Sequence, residues 1–275
     1  MLTELREVWR YRELLWQLVR RNLKVRYKNS RLGFFWSIAP PLLEVLVITF
    51  AMKRATGFAE HFPSYSAFVI VAMIPWSYFQ NAILDASQSI LEMNGVIRKV
   101  YMPREIIPLA VAISNLIHFM LSWLVFFVYW WLVVGGPLLP TTVWFPFLVL
   151  VQFMLVTGLG LLVASLNVFY EDVKYIASIL MRLGFFLLPI MYVAEQVQHR
   201  SSDLAFSIYM LNPLATLITA YRKVLLQSPT VEAIGGPSLP LDVAGMLITG
   251  AVSLAVLVGC YAFFNRRKWQ FVERP

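Results

Sequence analysis

The order of apolar and polar residues along the chain predicts six membrane-spanning helices. A helix needs roughly 20 apolar residues to cross a hydrocarbon core of about 30 Å. Six stretches meet this requirement, and their continuous apolar character indicates helices rather than half-buried strands. The stretches are residues 33–52, 65–84, 106–134, 144–169, 176–194 and 243–264.

Residues 2–23 follow a different pattern, in which apolar residues recur at near-helical spacing among many arginines. A basic amphipathic helix of this kind lies in the interface plane of a membrane. We therefore predict an N-terminal interface helix on the cytoplasmic surface. The alternative is an ordinary basic flank of the first span.

Two long connections carry further predicted helices. The connection 85–105 is partly polar, and we expect a helix over 87–99 that ends before Pro103, because proline breaks helices. On the outer side, residues 205–226 are apolar but are interrupted by Asn212-Pro213. This favours one or two short helices that re-enter the membrane part way. A seventh span there is the alternative, but it would place the basic C-terminus outside.

Composition agrees with a membrane protein. Hydrophobic residues make up 59% of the 275 residues and charged residues only 14%, whereas soluble domains are nearer half and a quarter. The single Cys260 allows no internal disulfide and fits no metal-site spacing. We expect one all-α membrane domain over residues 1–275, with an interface segment (1–32), a six-span bundle (33–264) and a tail (265–275).

The formal net charge of +8 is concentrated at the ends of the apolar stretches. This placement favours contact with anionic lipid over nucleic acid, because it forms no basic face. With the N-terminus inside, 17 Lys and Arg residues lie on the cytoplasmic side and five on the outer side. The positive-inside rule therefore predicts a plasma-membrane protein with both termini in the cytoplasm.

Three ionisable residues lie inside the predicted spans: Glu44, His118 and Arg182. A charge in hydrocarbon is costly, so Glu44 and Arg182 should face a partner or a water-filled cavity. Either they line a polar path or grip an anionic headgroup, or they pair or snorkel and hold helices together. For His118 we favour a helix-packing role, since no second metal ligand lies near it in the sequence.

A basic cluster just before the first span contains Arg26, Lys28 and Arg31. Arginine and lysine are the usual partners of phosphate groups. The cluster is therefore a candidate site for an anionic headgroup or a diphosphate, and the alternative is that it only sets the orientation of the first span. The chain contains no phosphate-binding loop of the GxxxxGK[ST] type, so we expect no ATP hydrolysis by that route within it.

Several stretches resemble the ABC-2 type polysaccharide exporter permeases, a family that moves lipid-linked O-antigen, teichoic acid or capsule chains. The opening Arg26-Tyr27-Lys28, followed by Leu32-Gly33 and Trp36, is similar to the family's first conserved motif. The chain departs from the family at Tyr170-Glu171-Asp172, where an Arg-Asp pair is usual, so only Asp172 is carried over. The similar stretches, in order, are residues 26–42, 97–108, 167–173, 189–192, 211–214 and 221–222.

The resemblance implies a homodimer of this permease with two copies of a separate ABC ATPase, which would hold ATP and Mg²⁺. No catalytic residue, cofactor or metal is then expected in this chain, which would be a transport subunit and not an enzyme. By analogy, the helix 87–99 and the connection 167–174 would contact the ATPase. The candidate coupling residues are Glu92, Arg98, Lys99, Arg104 and Asp172.

The same resemblance implies a conduit between the two protomers, lined mainly by the first and fifth spans. These are the spans that carry Glu44 and Arg182. The external helices over 204–226 would form its outer gate. The substrate or headgroup candidates are Arg26, Lys28, Arg31, Glu44 and Arg182. Of these, Lys28 and Arg31 would steer a carrier diphosphate.

Three other functions stay open on the sequence alone. An ABC-2 drug or lipid exporter would share the fold, although the Arg26-Tyr27-Lys28 opening favours a polysaccharide exporter. A membrane enzyme for polyprenyl-linked glycolipids would need clustered acidic or histidine residues, and Glu171-Asp172 is the only adjacent acidic pair. A secondary transporter would need more carboxylates in its spans.

Overall fold

The computed structural model describes residues 2–26, 35–55, 64–97, 102–135, 139–227 and 238–272. Within these ranges every regular element is helical, which confirms the all-α prediction for this part of the chain. A π-helix, Trp130–Val134, extends α6, and 3-10 helices precede α7 (Pro140–Trp144) and follow α12 (Lys268–Val272). The α-helices are α1 (Leu2–Arg10), α2 (Arg12–Arg26), α3 (Phe35–Ala55), α4 (Tyr65–Glu92), α5 (Asn94–Ile97), α6 (Ile106–Tyr129), α7 (Phe145–Phe169), α8 (Val173–Leu187), α9 (Ala194–Arg200), α10 (Asp203–Met210), α11 (Pro213–Leu225) and α12 (Val243–Arg267).

Four helical segments in the described ranges are long and apolar enough to cross a membrane. Each of them contains one of the stretches predicted from the sequence. The chain is therefore a multi-pass membrane protein. The four segments are Tyr65–Glu92, Ile106–Val134, Pro140–Phe169 and Val243–Phe271.

The first and fifth predicted spans are also helical, as α3 and α8. Helix α8 has 15 residues, so it is about 22 Å long and shorter than the hydrocarbon core. It ends earlier than predicted because Leu188 is extended, with ψ at 153°, and the next residue is Pro189. A residue before proline avoids the helical conformation. The count of six spans remains a prediction.

Helix α4 lies at the centre of the bundle. In its most apolar window 78% of the residues are buried, and it packs against α3, α6, α7, α8 and α11. Pro75 lies inside this helix. The buried side-chain amide of Gln152 on α7 donates a hydrogen bond to the Pro75 carbonyl oxygen at 2.7 Å. A polar bond of this kind links two spans where no water is available.

Helices α7 and α12 form the closest helix pair of the bundle at Gly158. A Cβ atom at this position would lie 2.8 Å from the Cα atom of Leu257 and 2.9 Å from its nitrogen. Only a glycine permits this approach of two backbones, as is common between membrane helices. Gly250 of α12 also lies close to Phe147 and Val151 of α7, so small residues on both helices permit the contact.

The N-terminal segment forms two helices, α1 and α2, where the sequence pattern predicts one. Leu18 and Val19 of α2 are buried and pack with Ile106 and Ala110 of α6. On other parts of these helices Trp9 and Trp16 are exposed, and Arg12 and Arg20 lie over their rings. Tryptophan and arginine are typical of the membrane interface, and the interface position remains a prediction.

The predicted helix 87–99 is divided between two elements. Its first part belongs to α4, which continues without a break to Glu92. One further turn, α5, covers Asn94–Ile97. Residues 98–101 lie outside the described part of the chain. As predicted, Pro103 precedes the next helix, α6.

The external region contains three short helices, α9 to α11. Helices α10 and α11 meet at an angle of 90°. The side-chain oxygen of Asn212 accepts a hydrogen bond from the backbone N–H of Leu214 at the start of α11, and Pro213 is well suited to a first helical position. Two short helices broken at this point agree with the prediction. Their re-entrant role remains a prediction.

Candidate functional site: a groove along α3 and α8

A groove with a volume of about 1080 Å³ opens between α3, α4, α6 and α8. We call it the membrane groove. Two of these helices, α4 and α6, belong to segments long and apolar enough to cross a membrane. The walls of the groove combine aromatic rings with hydrogen-bonding side chains. The rings are Trp76, Tyr78, Phe119, Phe126, Tyr129, Phe185 and Phe186, and the hydrogen-bonding groups are Ser77, Gln80, Asn81, Asn115 and Ser122.

Glu44 and Arg182 both line this groove, one from α3 and the other from α8. Both side chains are exposed. Among the described residues no ion pair joins them. Isolated charges are costly in hydrocarbon, and the polar-path and snorkelling roles of these two residues both remain predictions.

Helix α8 presents an apolar row on the same side as Arg182. Ile179, Leu183 and Phe186 are more than half exposed. Against α4 the helix packs closely, since a Cβ atom at Gly184 would lie 2.9 Å from the Trp76 ring. Arg182 is thus a single cation on an apolar surface beside the groove.

A second cavity, of about 310 Å³, lies between α2, α4 and α6. We call it the α2 cleft, and Arg21, Asp85 and Glu92 line it. His118 lines both this cleft and the membrane groove. The side-chain amide of Asn115, which faces the groove, donates to the Asp85 carboxylate at 2.9 Å. Polar side chains therefore continue from the cleft to the groove.

His118 lies at the boundary of the two cavities, and its predicted packing role remains a prediction. The part of the chain that the structure describes contains no cluster of His, Cys, Asp and Glu suited to a metal ion. His118 does make contacts within the protein. His118 is thus a polar residue in the walls of both cavities.

Arg222 is the residue that the sequence analysis missed, having been counted only as an outer charge. It is buried on α11 and donates to the carbonyl oxygens of Phe68, Pro189, Ile190 and Tyr192, at 3.2, 2.5, 2.6 and 3.0 Å. Its guanidinium also lies 3.4 Å from the centroid of the Phe68 ring. We call this arrangement the arginine cage.

The arginine cage holds the outer end of the groove. Residues 189–192 follow α8 and have no helix of their own, so their carbonyl groups need donors from elsewhere. Arg222 donates to those of Pro189, Ile190 and Tyr192 and connects α11 with the start of α4. The Tyr65 hydroxyl donates to that of Met191 at 2.9 Å. The neighbouring Lys223 forms a buried ion pair with Glu195 of α9. The outer helices are therefore fastened to the spans.

A family model described as ABC-2 type transporter matches residues 13–226. The chain belongs to the ABC-2 type transporter family. The matched residues extend from α2 to α11, so they include all four helices that form the groove of this ABC-2 type transporter.

Relatives cover almost the whole ABC-2 chain. An O-antigen export system permease protein RfbA from Myxococcus xanthus is 30% identical over 278 residues, with 99% of both chains covered. A protein of the same name from Klebsiella pneumoniae is 28% identical over 261 residues, covering 95% of this chain and 94% of the relative. The resemblance noted from the sequence motifs is confirmed.

The remaining candidate residues of this ABC-2 transporter have different surroundings. Lys28, Arg31, Arg98 and Lys99 lie outside the described residues, and for Arg26, the last residue of α2, only the backbone is described. Their predicted roles therefore remain predictions. Asp172, just before α8, is exposed and makes no side-chain cap.

Arg104 has contacts that the sequence did not predict. Its guanidinium lies 5.9 Å from the ring centroid of Trp269 and 6.0 Å from that of Phe271. Burial lowers the pKa of Arg104, and the neighbouring Glu105 carboxylate acts in the opposite direction. The side chain faces the C-terminal segment of its own chain, and Glu105 forms a buried ion pair there with Lys268.

Proposed function

We propose that this chain is the permease subunit of an ATP-driven exporter that moves a polysaccharide linked to polyprenyl diphosphate outward across the plasma membrane. The cargo class is O-antigen or teichoic acid. The near full-length similarity to O-antigen export permeases supports the polysaccharide. A drug or lipid exporter of the same fold is the second hypothesis.

The observation that carries the proposal is the membrane groove. A glycan presents hydroxyl groups and apolar ring faces, and binding sites for small molecules combine apolar walls with a few polar groups. The groove offers both along α4 and α6. Glu44 and Arg182 add charges that keep water in the path.

In the proposed assembly two copies of this chain face each other, with both termini in the cytoplasm. The exposed apolar residues of α3 and α8, among them Leu43, Leu46 and Leu183, would then be covered by the second copy or by lipid. Arg26, Lys28 and Arg31 would bind the carrier diphosphate at the cytoplasmic surface, where charge-assisted bonds to phosphate are strong.

Two copies of a separate ABC ATPase would bind ATP and Mg²⁺ and supply the energy. Glu92, Arg98, Lys99, Arg104 and Asp172 are the proposed coupling residues. Of these, Glu92 ends α4, Arg104 lies just before α6 and Asp172 directly precedes α8. No metal or nucleotide chemistry is assigned to this chain.

The test is export in proteoliposomes that contain this permease and its partner ATPase. We expect ATP hydrolysis to rise with a polyprenyl-diphosphate-linked O-antigen glycan and the glycan to cross the membrane. A wild-type complex that responds to drugs or phospholipids but not to the glycan would favour the second hypothesis. A chain that moves or modifies the glycan with no ATPase present would refute the proposal.

Neutralising Arg182 is expected to lower export by about tenfold, because one charge-assisted bond contributes about 1.5–3 kcal/mol. Arg182→Gln and Glu44→Gln are each measured as export per assembled complex. Arg200→Gln, an exposed change on α9 outside the groove, is the control and should export normally. Unchanged export in both groove variants would exclude the polar path.

A further inference from the structure

We propose that the C-terminal 3-10 helix Lys268–Val272 is a coupling element that fastens the cytoplasmic connections of the permease to one another. We call it the C-terminal clamp. This inference rests on the proposed function and adds to it a part of the chain that sequence reasoning treats only as a tail.

The first contact of the clamp is a buried ion pair. The Lys268 ammonium lies 3.2 Å from a carboxylate oxygen of Glu105, and the two side chains are 8% and 3% exposed. Glu105 directly precedes α6 and ends the long cytoplasmic connection from α4. An ion pair so far from water requires close geometry. The clamp is thereby attached to the start of α6.

The second contact is made by Phe271, which is 3% exposed. Its ring centroid lies 5.8 Å from that of Phe169 at the end of α7 and 5.4 Å from that of Phe264 near the end of α12. Ile90 of α4 and Ile97 of α5 belong to the same apolar cluster. Phe271 thus joins the ends of α7 and α12, and its cluster extends to α4 and α5.

A third set of contacts is cationic. Arg104 lies over the rings of Trp269 and Phe271. From the end of α12, Arg267 lies 5.3 Å from the centroid of the Phe169 ring. A cation placed over an aromatic face is attracted to the ring. The Arg267 contact reaches the connection after α7, and the Arg104 contacts reach the connection before α6.

Both of these connections are the proposed contacts with the ATPase. Motion delivered to either connection reaches the spans only if the connection is held to the helix ends. The clamp touches both, so a displacement of one is transmitted to the other and to α12. Without the clamp the ATPase would still bind and hydrolyse ATP, but less of its motion would reach the groove.

The experiment measures export per ATP hydrolysed by the complete permease–ATPase complex in proteoliposomes, with the polyprenyl-diphosphate-linked O-antigen glycan as probe. Phe271→Ala and Lys268→Gln are expected to lower this ratio at least about fivefold, the low end of ordinary coupling between sites, with ATP hydrolysis retained. Gln270→Ala, an exposed change in the same 3-10 helix, is the control and should keep the wild-type ratio.

A second pair of variants separates coupling from folding. Glu105→Lys and Lys268→Glu should each lower the ratio, and the double variant with exchanged charges should recover it. Where Phe271→Ala yields little assembled complex, Phe271→Leu is measured in the same way. If export and ATP hydrolysis fall together, in proportion to the amount of folded complex, the clamp is merely structural and the proposal is overturned.

The wild-type complex distinguishes this inference from the proposed function. Absence of glycan export by the wild type would contradict the function itself. Normal wild-type export, with an unchanged ratio in all clamp variants, would contradict only the clamp.

Discussion

Arg222→Ala is expected to unfold the outer part of the protein. The change removes the donor from the carbonyl groups of Pro189, Ile190 and Tyr192, which lie outside any helix, and one of the donors to Phe68 within α4. Each buried polar group that loses its partner costs about 1–3 kcal/mol, so the total loss of stability should be at least about 3 kcal/mol. The measurement is the thermal midpoint in detergent, followed by the amount of monodisperse protein on size-exclusion chromatography.

Two further variants test whether the hydrogen bonds of Arg222 cause this loss of stability. Arg200→Ala removes an exposed arginine from α9 and should leave the midpoint unchanged. Arg222→Lys keeps the charge but loses the planar guanidinium with its fixed donors, so it should restore only part of the stability. If Arg222→Ala and Arg200→Ala have the same midpoint, the arginine cage contributes nothing to the outer fold.

Gly158→Ala is expected to separate α7 from α12. The added Cβ atom would lie 2.8 Å from the Leu257 Cα atom, and this neighbour is backbone that cannot rotate away. Overpacking of a close contact costs about 1–3 kcal/mol. Because these two helices form a large part of the spanning bundle, we expect a lower thermal midpoint and a smaller yield of folded protein.

Gly259→Ala is the matched control for this change. Gly259 lies on α12, and a Cβ atom there would meet nothing within 4 Å. The midpoint should stay the same or rise slightly, since alanine is a better helix former than glycine by about 1 kcal/mol. An equal drop of the thermal midpoint in both variants would mean that the close approach at Gly158 does not cause the loss of stability.

The cage and the clamp lie at opposite ends of the bundle, and their expected effects differ. Loss of the arginine cage should lower the thermal stability of the protein itself, because it leaves backbone carbonyl groups unpaired. Loss of the clamp should leave the spans folded and reduce the export obtained per ATP. Comparing the two sets of variants therefore distinguishes a role in stability from a role in transmitting motion between the helices.

Sequence periodicity was sufficient for the helical class and for most of the helix positions. Long apolar stretches such as 144–169 and 243–264 became spans because hydrocarbon accepts apolar side chains and requires internal backbone hydrogen bonds. The break at Asn212-Pro213 was also predictable, since these residues start a helix and cannot continue one. The family followed from motifs that are spread along nearly the whole chain.

Helix ends were predicted less well, because the apolar pattern continues beyond them. The apolar stretch 176–194 includes Pro189, yet its hydropathy alone does not mark the end of α8 at Leu187. The first part of the helix expected over 87–99 belongs to α4, since no helix-breaking residue separates Leu84 from Glu92. Such boundaries depend on local backbone geometry more than on composition.

Only the tertiary structure decided which polar residues lie together. Glu44 and Arg182 belong to distant segments, and a shared groove appears only when α3 and α8 are placed around α4. Arg222 contacts Phe68 across 154 positions, and Lys268 contacts Glu105 across 163. Hydrophobic burial is readable from a local pattern because it depends on each residue's own side chain. A hydrogen bond or ion pair depends on the position of a second group, which the local pattern does not contain.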